Sequence, residues 1–309
     1  MSAAKISRLP DRGVVSVTGA DAAKLLQGLV TNDIAALETK PDDLAFAASA
    51  AHAGLLSPQG KILFEFFCVR TLDGFVLDVA RDQAPALAKR LTMYKLRADV
   101  TITDVPENYA ALALWGPSAI SSGPTKGTIA FDDPRDSRLG KRILAEARFA
   151  TDIASATNGQ LVSDDAYHAH RIALGVPEGG KDYALGDAYP HEANFDLFHG
   201  VSFTKGCYVG QEVVARMQNK TVVRKRIVKI AGAAPLTPGT DILLGEIAIG
   251  RTGSGDGNTG LAMLRLDRAI EAIDQGMPLT SGGIVITPDT EALARYRVSA
   301  AHRPFQPGL

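Results

Sequence analysis

From residue 13 to residue 94 the apolar positions switch repeatedly between the period of a strand and that of a helix. Residues 13–17, Gly-Val-Val-Ser-Val, are β-like. Gly19 and Asp21 then open a helical pattern in which Leu25, Leu26, Leu29 and Val30 share a face; Asp21 is placed to cap it, and an end is expected near Asn32 and Asp33. A polar break at residues 40–43 follows. Residues 62–69 and 75–79 are aromatic and β-branched, and the Asp73-Gly74 pair between them is a hairpin signal. Ala84, Leu87, Leu91 and Tyr94 fall in helical step and predict a helix over 82–94, with strands again at 100–103 and 109–115. Helices and strands in this mixed order predict α+β layers on an antiparallel sheet.

Asp164 or Asp165 is placed to cap a helix reaching about Ala173, and the glycine-rich, acidic stretch 175–189 is expected to be a loop. After residue 220 the pattern changes. Short β-rich pieces at 226–230, 246–252, 261–266, 283–287 and 294–299, punctuated by Gly and Pro, predict a small antiparallel barrel. The chain is therefore divided into an α+β region, 1–220, and a C-terminal β-barrel, 221–309.

Composition narrows the class. Hydrophobic residues at 46% and charged residues at 22% describe an ordinary globular chain. The 33 Lys and Arg balance 34 Asp and Glu, so no overall field draws the protein to nucleic acid or to an anionic membrane. There is no apolar run of ~18 residues to span a bilayer and no apolar core of a secretory signal. A cytoplasmic protein with both cysteines reduced is expected.

The most informative chemistry lies in residues 203–216, Phe-Thr-Lys-Gly-Cys-Tyr-Val-Gly-Gln-Glu-Val-Val-Ala-Arg. Gly206 and Gly210 bracket a loop that needs backbone freedom or a close approach. Cys207 lies two residues after Lys205, whose charge favours thiolate if the side chains converge. Glu212 and Arg216 are spaced for an ion pair on a following helix. The plainer alternative is a glycine-rich turn holding a small buried thiol.

Lys205, Gly206, Cys207, Tyr208, Gly210, Gln211 and Glu212 complete the pattern K-G-C-Y-x-G-Q-E, the signature of the folate-binding YgfZ family. That family is related to the T-protein of the glycine cleavage system, an aminomethyltransferase. Residues 26–33, 94–97, 133–135 and 171–175 resemble its other blocks. The resemblance implies two interleaved α+β parts with a C-terminal antiparallel barrel, and a channel for tetrahydrofolate or a derivative lined by the N-terminal two-thirds of the chain. It implies a role in assembly or repair of iron–sulfur enzymes, which are then the partners. Asn32 and Asp33 are expected at the pterin edge, Arg97 or Lys95 at the glutamate tail, and Tyr208 as a wall. Gln211 and Glu212 complete the cofactor-binding set, while Cys207 and Lys205 form the functional thiol loop.

The enzyme branch differs where it matters for transfer. It carries a paired acid at the position held here by Phe64 and Glu65, and a ring-gripping Glu where this chain has Ala173. No classical enzyme is therefore expected; the alternative is a folate-dependent aminomethyl or other one-carbon transferase. His191, His199 and Cys207 match no compact metal spacing, so no metal site is expected. Residues 253–260 lack the Lys-Ser/Thr of a phosphate loop and read as a hairpin, and the basic residues 220–229 as the outer face of a barrel strand rather than an RNA site. Cys68, inside Phe-Phe-Cys-Val, reads as core.

Overall fold

The computed structural model describes residues 4–37, 48–105, 109–117, 127–157, 159–219 and 222–301, and side chains through 296. The polar break at 40–43 and the boundary near 220 lie outside the described residues. The chain forms two compact units, Met1–Ser57 with Leu63–His168 and Leu197–Val209, and Pro58–Ile62 with Ala169–Asp196 and Gly210–Leu309.

The first unit holds two five-stranded sheets. One is ordered β10-β1-β7-β9-β8, from β1 (Lys5–Leu9), β7 (Tyr109–Trp115), β8 (Thr128–Asp132), β9 (Lys141–Glu146) and β10 (Gln160–Leu161). The other is ordered β3-β4-β5-β2-β6, from β2 (Arg12–Thr18), β3 (Ala50–Leu56), β4 (Ile62–Thr71), β5 (Gly74–Ala80) and β6 (Thr101–Asp104). The chain starts in one sheet, builds the whole of the other, and returns. This is the interleaving the sequence resemblance implied. β1 pairs parallel with β10, and the β1–β7, β7–β9, β8–β9, β2–β5, β2–β6 and β4–β5 pairs are antiparallel.

Each sheet buries one face against helices. Leu26 of α1 (Ala22–Gln27) and Leu87 and Leu91 of α2 (Ala84–Lys95) join Val15, Val17, Phe66 and Leu77 in one core. Ile153 of α3 (Ala150–Ala156) joins Ile6, Leu112 and Ile143 in the other. The β4–β5 hairpin turns at Asp73-Gly74 as its sequence demands, and Cys68 is fully buried on β4. The helix expected to reach Asn32 stops at Gln27 instead. Asp21 makes no side-chain cap; its carboxylate accepts from the Asp99 amide.

The turn before β9 gives a sharp test of local strain. Gly140 has φ +76°, and a Cβ there would lie 2.2 Å from the Leu114 carbonyl oxygen. Neither backbone can yield without breaking the β7–β9 ladder. Gly140→Ala is expected to cost at least about 2 kcal/mol, read by urea denaturation through Trp115 fluorescence. A loss near zero would refute the close packing.

The second unit is built on a closed six-stranded barrel. Its strands are β11 (Lys225–Gly232), β12 (Asp241–Leu244), β13 (Ile247–Asp256), β14 (Thr259–Arg265), β15 (Leu279–Ser281) and β16 (Ile284–Pro288), all antiparallel. Val228, Ile230, Ile242, Ile249, Leu264 and Ile286 fill it. The 253–260 stretch is strand on both sides of a tight Gly257-Asn258 hairpin. Residues 294–299 are not a strand: they lie in α7 (Thr290–Ala301). Asp289 accepts from the amides of Glu291 and Ala292, and this N-terminal cap with an alanine-rich run overrides the β-branched Val298. A further helix, α6 (Leu266–Asp274), escaped the sequence reading. The stretch 175–189 is irregular, as expected, the irregular run continues to 196, and the segment belongs to this unit together with the C-terminal part of α4 (Asp164–Leu174).

Candidate functional site

Three stretches of the first unit meet at the turn after α1. Thr31 Oγ1 donates to the Gly200 carbonyl at 2.6 Å and accepts from the Gly54 amide at 2.8 Å. The Ser202 amide donates to the Thr31 carbonyl at 3.0 Å. Asn32 Nδ2 donates to the carbonyls of His52, at 2.8 Å, and His199, at 2.6 Å. His199 takes the left-handed φ of 54° that turns its carbonyl to this donor. The segment Leu197–Val209, which carries the thiol, is thus stitched to the turn and to β3.

Lys205 completes the stitching. Its ammonium donates to the carbonyls of Val30, at 2.8 Å, and Asn32, at 2.7 Å. Both carbonyls lie in the turn that follows the end of α1 at Gln27. Burial lowers the Lys205 pKa to about 8, against the opposing pull of Asp33 and Cys68. Lys205 also sits 5.2 Å from the centre of the Tyr208 ring. The Tyr208 hydroxyl is pushed up to about 12 by burial. The ammonium is aimed at these two carbonyls, not at Cys207.

Cys207 itself is exposed. Gly206 before it has open space where a Cβ would stand. The structure therefore excludes the plainer expectation of a buried thiol at this position. Cys68, by contrast, is a core cysteine, and burial raises its thiol pKa strongly.

The other expected ligand residues divide. Asn32 spends both amide hydrogens on main-chain carbonyls and its oxygen on the Asp33 amide, so its role here is to fix the turn. Asp33 Oδ1 accepts from Gln27 Nε2 at 3.0 Å and from the Ala36 amide at 3.3 Å. Arg97 is exposed just beyond α2, and Lys95 is held by the Val100 carbonyl. Gln211 and Glu212 open α5 (Gln211–Asn219) in the second unit. Glu212 and Arg216, spaced for an ion pair, form none among the described residues.

Sequence reasoning missed His52. Its Nδ1 lies 3.0 Å from the Phe198 carbonyl and its Nε2 2.8 Å from Glu65 Oε1. A carbonyl only accepts, so Nδ1 carries the hydrogen given to Phe198. Glu65 stands where the enzyme branch has its paired acid, and it is engaged by this histidine; its neighbour Phe64 is buried. A lone His in an apolar strand, facing a Glu in the next, was the only signal available.

The comparisons with known proteins agree with this architecture. Residues 224–296 match the CAF17 C-terminal beta-barrel domain. The glycine cleavage system aminomethyltransferase T from Bartonella henselae shares the fold, with a TM-score of 0.75 over 93% of this chain and 85% of that one, at 16% identity. The protein thus has the aminomethyltransferase fold, mixed α+β with a C-terminal closed barrel.

Its family is narrower. The iron-sulfur cluster assembly factor IBA57, mitochondrial, of Homo sapiens is 34% identical over 278 residues, covering 83% of this chain and 76% of that one. The Mus musculus protein of that name is 36% identical over 282 residues, with 84% and 76% covered. The Mycosarcoma maydis homologue is 37% identical over 245 residues, 76% of this chain but 59% of its own length. The chain thus spans about three-fifths of that relative. It belongs to the IBA57 iron–sulfur cluster assembly factor family. The YgfZ family suggested by the motif is a related family, not the one to which the chain belongs. The cytoplasmic expectation is also corrected, since these relatives are named as mitochondrial proteins. No helix among the described residues is long and apolar enough to cross a membrane.

Proposed function

We propose that the protein is an accessory factor in assembly or repair of iron–sulfur enzymes, acting through Cys207. The observation that carries this reading is an exposed thiol on a loop pinned by the hydrogen bonds of Thr31, Asn32, His52 and Lys205. A fixed loop presents the sulfur to a partner without an ordering penalty. Family membership supports the same role. Client iron–sulfur enzymes or other assembly factors are the partners of this reading.

Cys207→Ala tests it. Because the side chain is exposed, thermal stability is expected to change by less than about 0.5 kcal/mol, while iron–sulfur enzyme activity in cells relying on this chain falls several-fold. Unchanged enzyme activity would make the thiol idle. A large loss of stability would make it structural.

Tetrahydrofolate is part of the proposal as a ligand, supported by kinship of fold. Asn32 does not fit a ring contact, because its amide is spent. Asp33, whose Oδ2 is not used in the hydrogen bonds above, and the half-buried Tyr208 fit better. Calorimetric titration of the full chain is expected to show binding that Tyr208→Ala weakens about tenfold; no heat at millimolar folate would remove the ligand from the reading. The structure does not favour aminomethyl transfer, since the single acid at position 65 is engaged by His52.

A further inference from the structure

The turn that closes α2 carries a feature that neither the fold nor the thiol loop uses. Leu96 has φ +48° and ψ −109°, a backbone conformation that favours glycine. It is nonetheless 86% exposed, and Met93 one helical turn earlier is 65% exposed. Leucine in a costly conformation with its side chain in water gains nothing from the fold around it.

The turn is held from both ends. Lys95 Nζ donates to the Val100 carbonyl, and the Ala98 amide donates to the Lys95 carbonyl at 2.8 Å. The Asp21 amide donates to the Asp99 carbonyl at 3.1 Å, and the Asp99 amide to Asp21 Oδ2 at 2.9 Å. Strain that the surroundings over-determine in this way marks a functional position more often than a random one.

Charge selects the occupant. Residues 84–98 contain Lys89, Arg90, Lys95 and Arg97 and no acid, in a chain whose net charge is -1. None of the four forms an ion pair among the described residues. Lys89 and Arg90 lie four and three before Met93, on its side of the helix, and Arg97 follows Leu96 just beyond the helix end. We propose that Met93 and Leu96, framed by Lys89, Arg90 and Arg97, dock an acidic protein segment that carries an apolar anchor side chain. The patch is too small for a lipid surface: the leucines of α2, Leu87 and Leu91, are fully buried in the core. The partner is a protein served in iron–sulfur assembly, and to that extent the inference rests on the proposed function.

The test uses the full chain and a fluorescein-labelled amphipathic peptide of Glu and Leu, with a Lys-for-Glu peptide as control. Anisotropy is expected to show binding of the acidic peptide only, weakening as salt rises from about 50 to about 300 mM. Leu96→Gly is expected to weaken it at least tenfold with thermal stability unchanged or higher, since glycine relieves the strain. Equal affinity in Leu96→Gly overturns the proposal. A fall in its thermal stability does so too, because Leu96 is then structural. Preference for anionic phosphatidylglycerol vesicles over the peptide, or a loss of tetrahydrofolate binding in Leu96→Gly, reassigns the patch and likewise overturns it. In cells, Leu96→Gly should lower iron–sulfur enzyme activity several-fold. Full activity there, with Cys207→Ala still defective, sinks the docking surface alone. Full activity in both variants sinks the proposed function.

Discussion

Replacing Asp78 by alanine is expected to cost about 3–5 kcal/mol of folding stability. Asp78 Oδ1 accepts from Arg12 Nε at 2.7 Å, and its main-chain carbonyl accepts from Arg12 Nη2 at 2.7 Å. Arg142 Nη1 lies 3.5 Å from Asp78 Oδ2. All three side chains are buried. The guanidinium carbons of Arg12, Arg135 and Arg142 stand 5.9, 4.8 and 5.1 Å from the centre of the Phe67 ring. Asp133 answers Arg135 at 2.8 Å, and Tyr167 Oη accepts from Arg142 Nη2 at 2.9 Å. The three cations are thus enclosed together, and removing Asp78 takes from Arg12 its carboxylate partner at 2.7 Å and leaves Arg142 to the more distant Asp133, 3.8 Å from its Nε.

Trp115 packs edge-on against Tyr167, with ring centres 5.7 Å apart, so the single tryptophan reads this network directly in urea denaturation. A cost under about 1 kcal/mol would show that water reaches the cluster. The network also has a pH signature. Burial alone would raise the Asp133 carboxyl, but Arg135 and Arg142 hold it below the usual carboxylate value of 3.8. A depressed folded pKa contributes stability that is present above the unfolded value and lost as pH falls through the folded one. This contribution should survive to about pH 4 and disappear only below it.

Arg171→Leu is the second large effect, also expected at about 3–5 kcal/mol, and it falls on the other unit. Arg171 Nη1 donates to Asp182 Oδ2 at 2.7 Å and Nη2 to Ser254 Oγ at 2.6 Å, while Nε lies 3.3 Å from Glu178 Oε2. Arg171 and Asp182 are both buried to 1% exposure or less. The substitution removes the guanidinium that faces the buried Asp182 and Glu178 and unfastens the segment 169–196 from β13. Gly253 beside Ser254 shows how close the approach is: a Cβ there would lie 2.7 Å from Asp182 Oδ1. Hydrogen exchange of the barrel amides would report the loss, since the tryptophan lies in the first unit. Unchanged protection of β13 and β14 would show that the joint is dispensable.

These two clusters mark the limit of what pattern reading reaches. Arg12, Asp78, Arg142 and Asp133 come from four separate strands and loops; Arg12, Asp78 and Arg142 each read alone as an ordinary surface charge, and Asp133 stood out only as part of a family block. Arg171 stood out only as part of a family block. Nothing in the spacing announces that these charges are buried together, because burial of a charge depends on partners brought from elsewhere in the chain.

What the sequence determined by itself were features whose physics is local. The Asp-Gly hairpin, the apolar stripe of α2, the Gly- and Pro-punctuated strands after residue 220 and the core position of Cys68 follow from neighbours within a few residues. The motif around Cys207 carried the kinship with the aminomethyltransferase fold for the same reason, since its residues are contiguous. Tertiary structure decided the rest. It ended α1 at Gln27 and tied the carbonyls of Val30 and Asn32 in the following turn to Lys205 from far along the chain. It tied the Asn32 amide and the Lys205 ammonium to main-chain carbonyls. It paired His52 with Glu65, and it left Leu96 strained and exposed. Each of these outcomes is a hydrogen bond or a burial between distant residues, and long-range closure of that kind leaves no periodicity in the sequence to read.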